Sequence, residues 1–163
     1  MKFKNLVDKT TSFLFKRLSE LIGLALLCLS LLLLTSLISY SPEDPNFIFP
    51  ENTEIKNLLG AKGSYVSDIL YQSLGLISLL VPISFFFISL LVIMDKKILH
   101  FVESLFFIIL YSITGTLFFT VFHTETYWLT INGNNGFIGN LFEETFLINL
   151  ANLNNQISYI ILI

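Results

Sequence analysis

Few side chains in this sequence could do chemistry, and their spacing limits what that chemistry could be. His100 and Glu103 stand one helical turn apart and could in principle share a metal ion, but two ligands make no site, and a solvated ion pair beside the headgroups is the better account of them. His123 and Glu125 form a second pair of the same kind. Glu143 and Glu144 could serve as paired acid and base, yet neighbours in sequence point to different faces of a helix. Gly60-Ala61-Lys62-Gly63-Ser64 lacks the spacing of a phosphate-binding loop and the strand that should precede it. Cys28 is the single cysteine and lies in an apolar stretch, which leaves no intramolecular disulfide and no cysteine-based zinc site. No catalytic, cofactor-binding or metal-binding residue is assigned.

Two other groups point to interaction rather than reaction. Ser41-Pro42-Glu43-Asp44-Pro45 combines two prolines, which end a helix, with two carboxylates, which keep its exit in water. It reads either as a helix stop or as a docking loop for a partner. Ser112, Thr116 and Thr120 fall four residues apart on one helical face, with Gly115 beside them. Small residues let helices approach closely, and the hydroxyls either bond across the contact or back to their own helix carbonyls.

The elements that carry these residues follow from composition. Of 163 residues, 9 are Lys or Arg and 12 are Asp or Glu, so 13% carry charge, about half the roughly 25% of soluble domains. The apolar share is 54% and the mean hydropathy +0.77. Three stretches hold no charge: Leu21–Ser39 (19 residues), Ile69–Met94 (26) and Ser104–Phe122 (19). About 20 apolar residues cross a bilayer, so a soluble single-core domain is excluded and an all-α, multi-pass membrane protein is expected. The net charge of −3 gives no reason to expect nucleic acid as a partner of this chain. The first stretch is too long for a signal peptide and no small-x-small site of the Ala-x-Ala type follows it, so it reads as an uncleaved span.

Lys and Arg resist translocation, which sets the expected orientation. Lys2, Lys4, Lys9, Lys16 and Arg17 precede the first span, and Lys96 and Lys97 lie in the connection Asp95–Glu103, which makes seven of nine cations on one side. The loop Tyr40–Asp68 holds the other two against five acids. Residues 1–20 are thus a basic cytoplasmic N-terminus, and the outer loops are 40–68 and 123–156. The second run exceeds the bilayer's need and should tilt, bend or project, with a kink expected at Pro82 and helix-start side chains at Ser64–Asp68. Asn132-Gly133-Asn134-Asn135-Gly136 signals a turn, Phe137–Leu153 a short interfacial or re-entrant helix, and Ile157–Ile163 the start of a fourth span. The expected fold is a helical bundle of three complete membrane helices and the start of a fourth. Its spans lack ionisable residues, which counts against a transport or channel subunit, the alternative reading.

The segment Ser36-Leu37-Ile38-Ser39-Tyr40-Ser41-Pro42-Glu43-Asp44-Pro45-Asn46-Phe47 resembles the close of the first helix in the FtsK/SpoIIIE family of bacterial DNA translocases, Leu-x-Ser-Tyr-x-Pro-x-Asp-Pro-Ser-Phe, with Asn46 in place of a serine. The stretch from Asn57 through Gly60 and Gly63 to Asp68 is similar to that family's Asn-x-Leu-Gly-x-x-Gly-Ala-x-x-Ala-Asp, with Ser64 and Ser67 in place of alanines. Gly136–Leu141 resembles its Gly-Gly-x-x-Gly-x-x-Leu more weakly. The resemblance covers the amino-terminal membrane domain only. It implies four spanning helices in the bacterial inner membrane, anchoring at the division septum, contacts with other division proteins and assembly as a hexamer. It also implies a cytoplasmic ATPase that moves DNA during chromosome partition. That motor, with its ATP and Mg, is missing here, so no DNA contact and no enzyme activity are expected of this chain. The reading frame is expected to continue past Ile163 with roughly 12–15 apolar residues, then a linker and the motor.

Overall fold

The computed structural model describes residues 2–46, 54–95, 99–122, 129 and 131–143. These residues form helices and turns, with no strand among them. Helix α1 is Lys2–Ile38, α2 Gly60–Leu74, α3 Leu80–Asp95, α4 Leu99–Phe122 and α5 Gly136–Glu143, and a 3-10 segment, Gly75–Leu79, joins α2 to α3. Three helical runs are long and apolar enough to cross a membrane: Asp8–Ile38, Gly60–Asp95 and Leu99–Phe122. The chain is a multi-pass helical membrane protein. The expected fourth span at Ile157–Ile163, and His123, Glu125 and Glu144, lie outside the described residues.

Helices α1 and α3 make the central contact, and small residues set it. Ser19, Gly23 and Ser30 are buried on α1, and the Ser30 hydroxyl donates to the Pro82 carbonyl at 2.8 Å. A side chain on Gly23 would run into Ile93 and the Ser89 carbonyl, so glycine there lets the two backbones close up. Leu26, Ile88, Val92 and Ile108 fill the space between α1, α3 and α4. Leu37, Tyr71 and Leu129 form a second apolar cluster at the C-terminal end of α1.

The sequence suggested a bend at Pro82, but the α-helical run is interrupted elsewhere, since Pro82 lies within α3. It breaks seven residues earlier, at Gly75, whose φ of 60° and ψ of −140° belong to no helix. Pro82 sits in the first turn of α3, where a backbone N–H has no partner inside its own helix, so the ring costs nothing there. The piece from Gly75 to Asp95 is about 34 Å long, enough to cross the hydrocarbon. Helix α2 starts at Gly60, ahead of the expected helix-start residues Ser64–Asp68, which lie inside it. Gly63 and Tyr71, about 12 Å apart along α2, both touch the last turn of α1, so α2 lies across that end instead of running down its flank.

Candidate functional site

The polar side chains gather at the end of the bundle where α1 stops and α2 begins. Pro42 and Pro45 cannot continue α1, and the chain between them folds into a turn in which the Asp44 N–H donates to the Ser41 carbonyl at 3.2 Å. The Glu43 N–H donates to Ser41 Oγ at 3.3 Å. The turn points the Asp44 carboxylate inward, 6% exposed. It accepts the backbone N–H groups of Lys56 at 2.9 Å and Asn57 at 2.8 Å. Two such bonds compensate a buried carboxylate for the water it loses. Pro45 contributes its carbonyl, which accepts from Ser64 Oγ at 2.7 Å.

Asn57 joins the two helix ends. Its Oδ1 accepts the Leu59 N–H at 3.0 Å, and its carbonyl accepts the Gly60 N–H at 2.9 Å, so it organises the start of α2. Its Nδ2 donates to the carbonyls of Ser36 at 2.9 Å and Ser39 at 3.3 Å, both left without helical partners where α1 ends. Ser36 Oγ donates in turn to the Gly63 carbonyl at 2.7 Å. A side chain at Gly63 would collide with Asn57 and Leu59. The two motifs that carry the family resemblance therefore meet in space, each satisfying the other's backbone.

Glu43 stays exposed and pairs with Lys56. That ammonium lowers the Glu43 carboxyl pKa, and Glu43 raises that of Lys56 in return. Nearby, the Tyr40 hydroxyl donates to Asp68 Oδ1 at 3.2 Å and its ring leans on Tyr71, with centroids 4.8 Å apart. Burial, then the Asp68 charge, pushes the Tyr40 pKa well above its usual 10.0.

A second polar layer closes the break in the membrane helix. The Asn134 carbonyl accepts the Leu76 N–H at 3.0 Å, and side chains on Gly75 or Gly136 would collide with the facing backbone. Asn132 donates to Gln72 Oε1 at 3.0 Å, Asn135 to Asn140 Oδ1 at 2.7 Å and to Thr120 Oγ1 at 3.2 Å. This amide cluster lay hidden within a sequence signal for a turn.

Ser112, Thr116 and Thr120 are buried on one face of α4. Gly115 lies against Ile77 of the 3-10 segment, and Thr120 against Gly139 of α5. The Thr116 and Thr120 hydroxyls donate to carbonyls of their own helix, Ile113 and Thr116, both at 2.9 Å. His100 lies 3.0 Å from Asp95 and 3.6 Å from Glu103 and bridges the ends of α3 and α4. Among the described residues no cluster of three or more His, Cys, Asp or Glu side chains could hold a metal.

A geometry built of helix caps, close helix contacts and apolar spans matches a membrane domain. The family model for the 4TM region of DNA translocase FtsK/SpoIIIE matches residues 15–163. The DNA translocase FtsK of Rickettsia bellii is 42% identical over 53 residues, which is 32% of this chain and 7% of that protein. That of Azospirillum brasilense is 40% identical over 68 residues, 40% of this chain and 11% of that protein. The Rickettsia typhi protein is 42% identical over 50 residues, 31% of this chain and 7% of its own length. The chain thus matches only a small part of each relative's length, and no solved structure matches it. With a model match over nearly its whole length, the chain belongs to the FtsK/SpoIIIE family as its 4TM membrane region.

Proposed function

We propose that this domain anchors a cell-division DNA translocase in the bacterial inner membrane, directs it to the septum and helps its copies assemble into a hexamer of cytoplasmic motors held by their membrane domains. The observation that carries the reading is the family match across residues 15–163, supported by three helices able to span the membrane. The basic N-terminus and Lys96-Lys97 face the cytoplasm, where a motor acting on DNA would have to work. ATP, Mg and DNA belong to that motor and not to this domain. The loop at Ser41–Pro45 braces α1 against α2 through Asp44 and Pro45, and Pro42 and Glu43, left exposed, are the side offered to other division proteins.

A fluorescent protein fused to the domain and expressed in dividing bacteria tests this. A band at the septum is the expected result. An even ring of fluorescence around the whole cell would remove the septal role and leave a plain membrane anchor.

A further inference from the structure

A groove of about 370 Å³ opens between the last turns of α1 and the first turns of α2. Its floor is the contact between Ser36 and Gly63, where two small residues bring the helices together. Leu32 and Leu33 form one wall, Leu59 and Val66 the other, and Lys62 stands at the rim. Leu32 is 54% exposed and Val66 39%, so the walls are open to whatever surrounds the bundle.

We propose that this groove binds a phospholipid with an anionic headgroup, its acyl chain lying against Leu32, Leu33 and Val66 and its phosphate on Lys62. The groove adjoins a membrane-spanning stretch of α1, so lipid is the apolar material at hand. The charge arrangement selects among lipids. No carboxylate pairs with Lys62 among the described residues, whereas Lys56, the other described cation at this end, is paired with Glu43. Lys62 lies in the first turn of α2, whose dipole adds positive potential at the same place, and no acidic residue lies in that turn to oppose it. Apart from the paired Lys56, the other described charges at this end are acidic, so an anionic headgroup finds its attraction at Lys62 and not across the surface at large.

The test uses the 163-residue chain purified in a non-ionic detergent, stripped of lipid and titrated with phosphatidylglycerol or phosphatidylcholine. Bound lipid is read by native mass spectrometry and by the shift in thermal unfolding. Phosphatidylglycerol is expected to bind about fivefold more tightly than phosphatidylcholine, the factor one lysine at a membrane surface supplies. Lys62→Gln should equalise the two lipids, costing phosphatidylglycerol more than phosphatidylcholine, while leaving unfolding in detergent without lipid unchanged. Lys62→Arg and Lys56→Gln should both keep the preference. Val66→Trp, which fills the groove, should weaken both lipids, and inorganic phosphate alone should give no shift. Equal affinity for the two lipids in the parent chain overturns the proposal. So does a preference that survives Lys62→Gln, lipid binding untouched by Val66→Trp, or an equal response to inorganic phosphate.

Discussion

The Asn134 carbonyl fills the gap that Gly75 opens in the second membrane helix, accepting the Leu76 N–H at 3.0 Å. The contact needs Gly75 twice over. Its φ of 60° is one that L side chains resist, and a Cβ would fall on the Asn134 carbonyl. Gly75→Ala is therefore expected to destabilise the domain by about 2–5 kcal/mol, summing backbone strain and overpacking. Thermal unfolding in detergent measures it. Pro82→Ala, at the first turn of α3, should shift the unfolding temperature far less, and equal effects would show that the bend resides at the proline after all.

Asn57 holds the ends of α1 and α2 together, and its removal strands several backbone groups. Asn57→Ala leaves the Leu59 N–H and the carbonyls of Ser36 and Ser39 without these partners, a loss of about 2–4 kcal/mol. Asn57→Asp keeps the acceptor for Leu59 but turns a carboxylate toward two carbonyls, so it should rescue nothing. Rescue by Asp would mean that only the cap of α2 matters. Asp44→Asn, which keeps an acceptor for two backbone N–H groups, is expected to be milder than Asp44→Ala.

The spans were legible because charge-free length is a one-dimensional property: α1 and α4 end within a few residues of where hydropathy and prolines say they must. The break in the second run was not, because two features compete there. Proline announces its effect in the sequence, but at the start of a helix it has none, whereas Gly75 acts only because Asn134 arrives from 59 positions later to satisfy the freed backbone. Asp44 was legible as a charge that keeps a helix exit wet, but its burial was not, since that depends on Lys56 and Asn57 offering their N–H groups. Lone polar residues such as Asn57 acquire a role only when the helix ends they cap are brought together.

The face of α4 offers a cleaner separation of size from polarity. The hydroxyl of fully buried Thr116 is satisfied by the Ile113 carbonyl of its own helix, so Thr116→Val keeps the shape and loses only a local bond. Thr116→Leu adds volume where none is free and is expected to cost about 1–3 kcal/mol. Thr120→Val removes the acceptor for Asn135 Nδ2 and should cost about 1 kcal/mol. If Val and Leu at 116 prove equally harmful, the hydroxyl and not the close fit is what the position requires.

Alkaline pH should loosen the end that carries Tyr40. Its pKa is raised in the folded state above the ordinary 10.0, so the stability it adds is fully present below pH 10.0 and is lost as pH rises through the folded value. Tyr40→Phe is expected to flatten the fall in unfolding temperature above pH 10.0, measured against the parent chain in the same buffers. Glu43 acts at the other limb: its lowered pKa means its contribution is present at neutral pH and fades as the solution is acidified through that value. The Glu43–Lys56 pair is exposed and screened by salt, so Glu43→Gln should change little at physiological ionic strength.

Orientation follows from where the cations sit relative to the three membrane helices. With the N-terminus in the cytoplasm, Lys2, Lys4, Lys9, Lys16, Arg17, Lys96 and Lys97 stay on the side where they are synthesised, and only Lys56 and Lys62 cross. The reverse arrangement would carry seven cations across. Of the two that cross, Lys56 is paired with Glu43. A reporter active only outside the cytoplasm should therefore be active when fused at Asn52 or Asn134 and silent at Lys97. Moving two lysines from the N-terminal segment into the 40–60 loop should weaken that bias, because orientation depends on the difference between the two sides and not on either count alone. Activity at Lys97 in the parent sequence would invert the topology and place the basic end of α1 outside the cytoplasm.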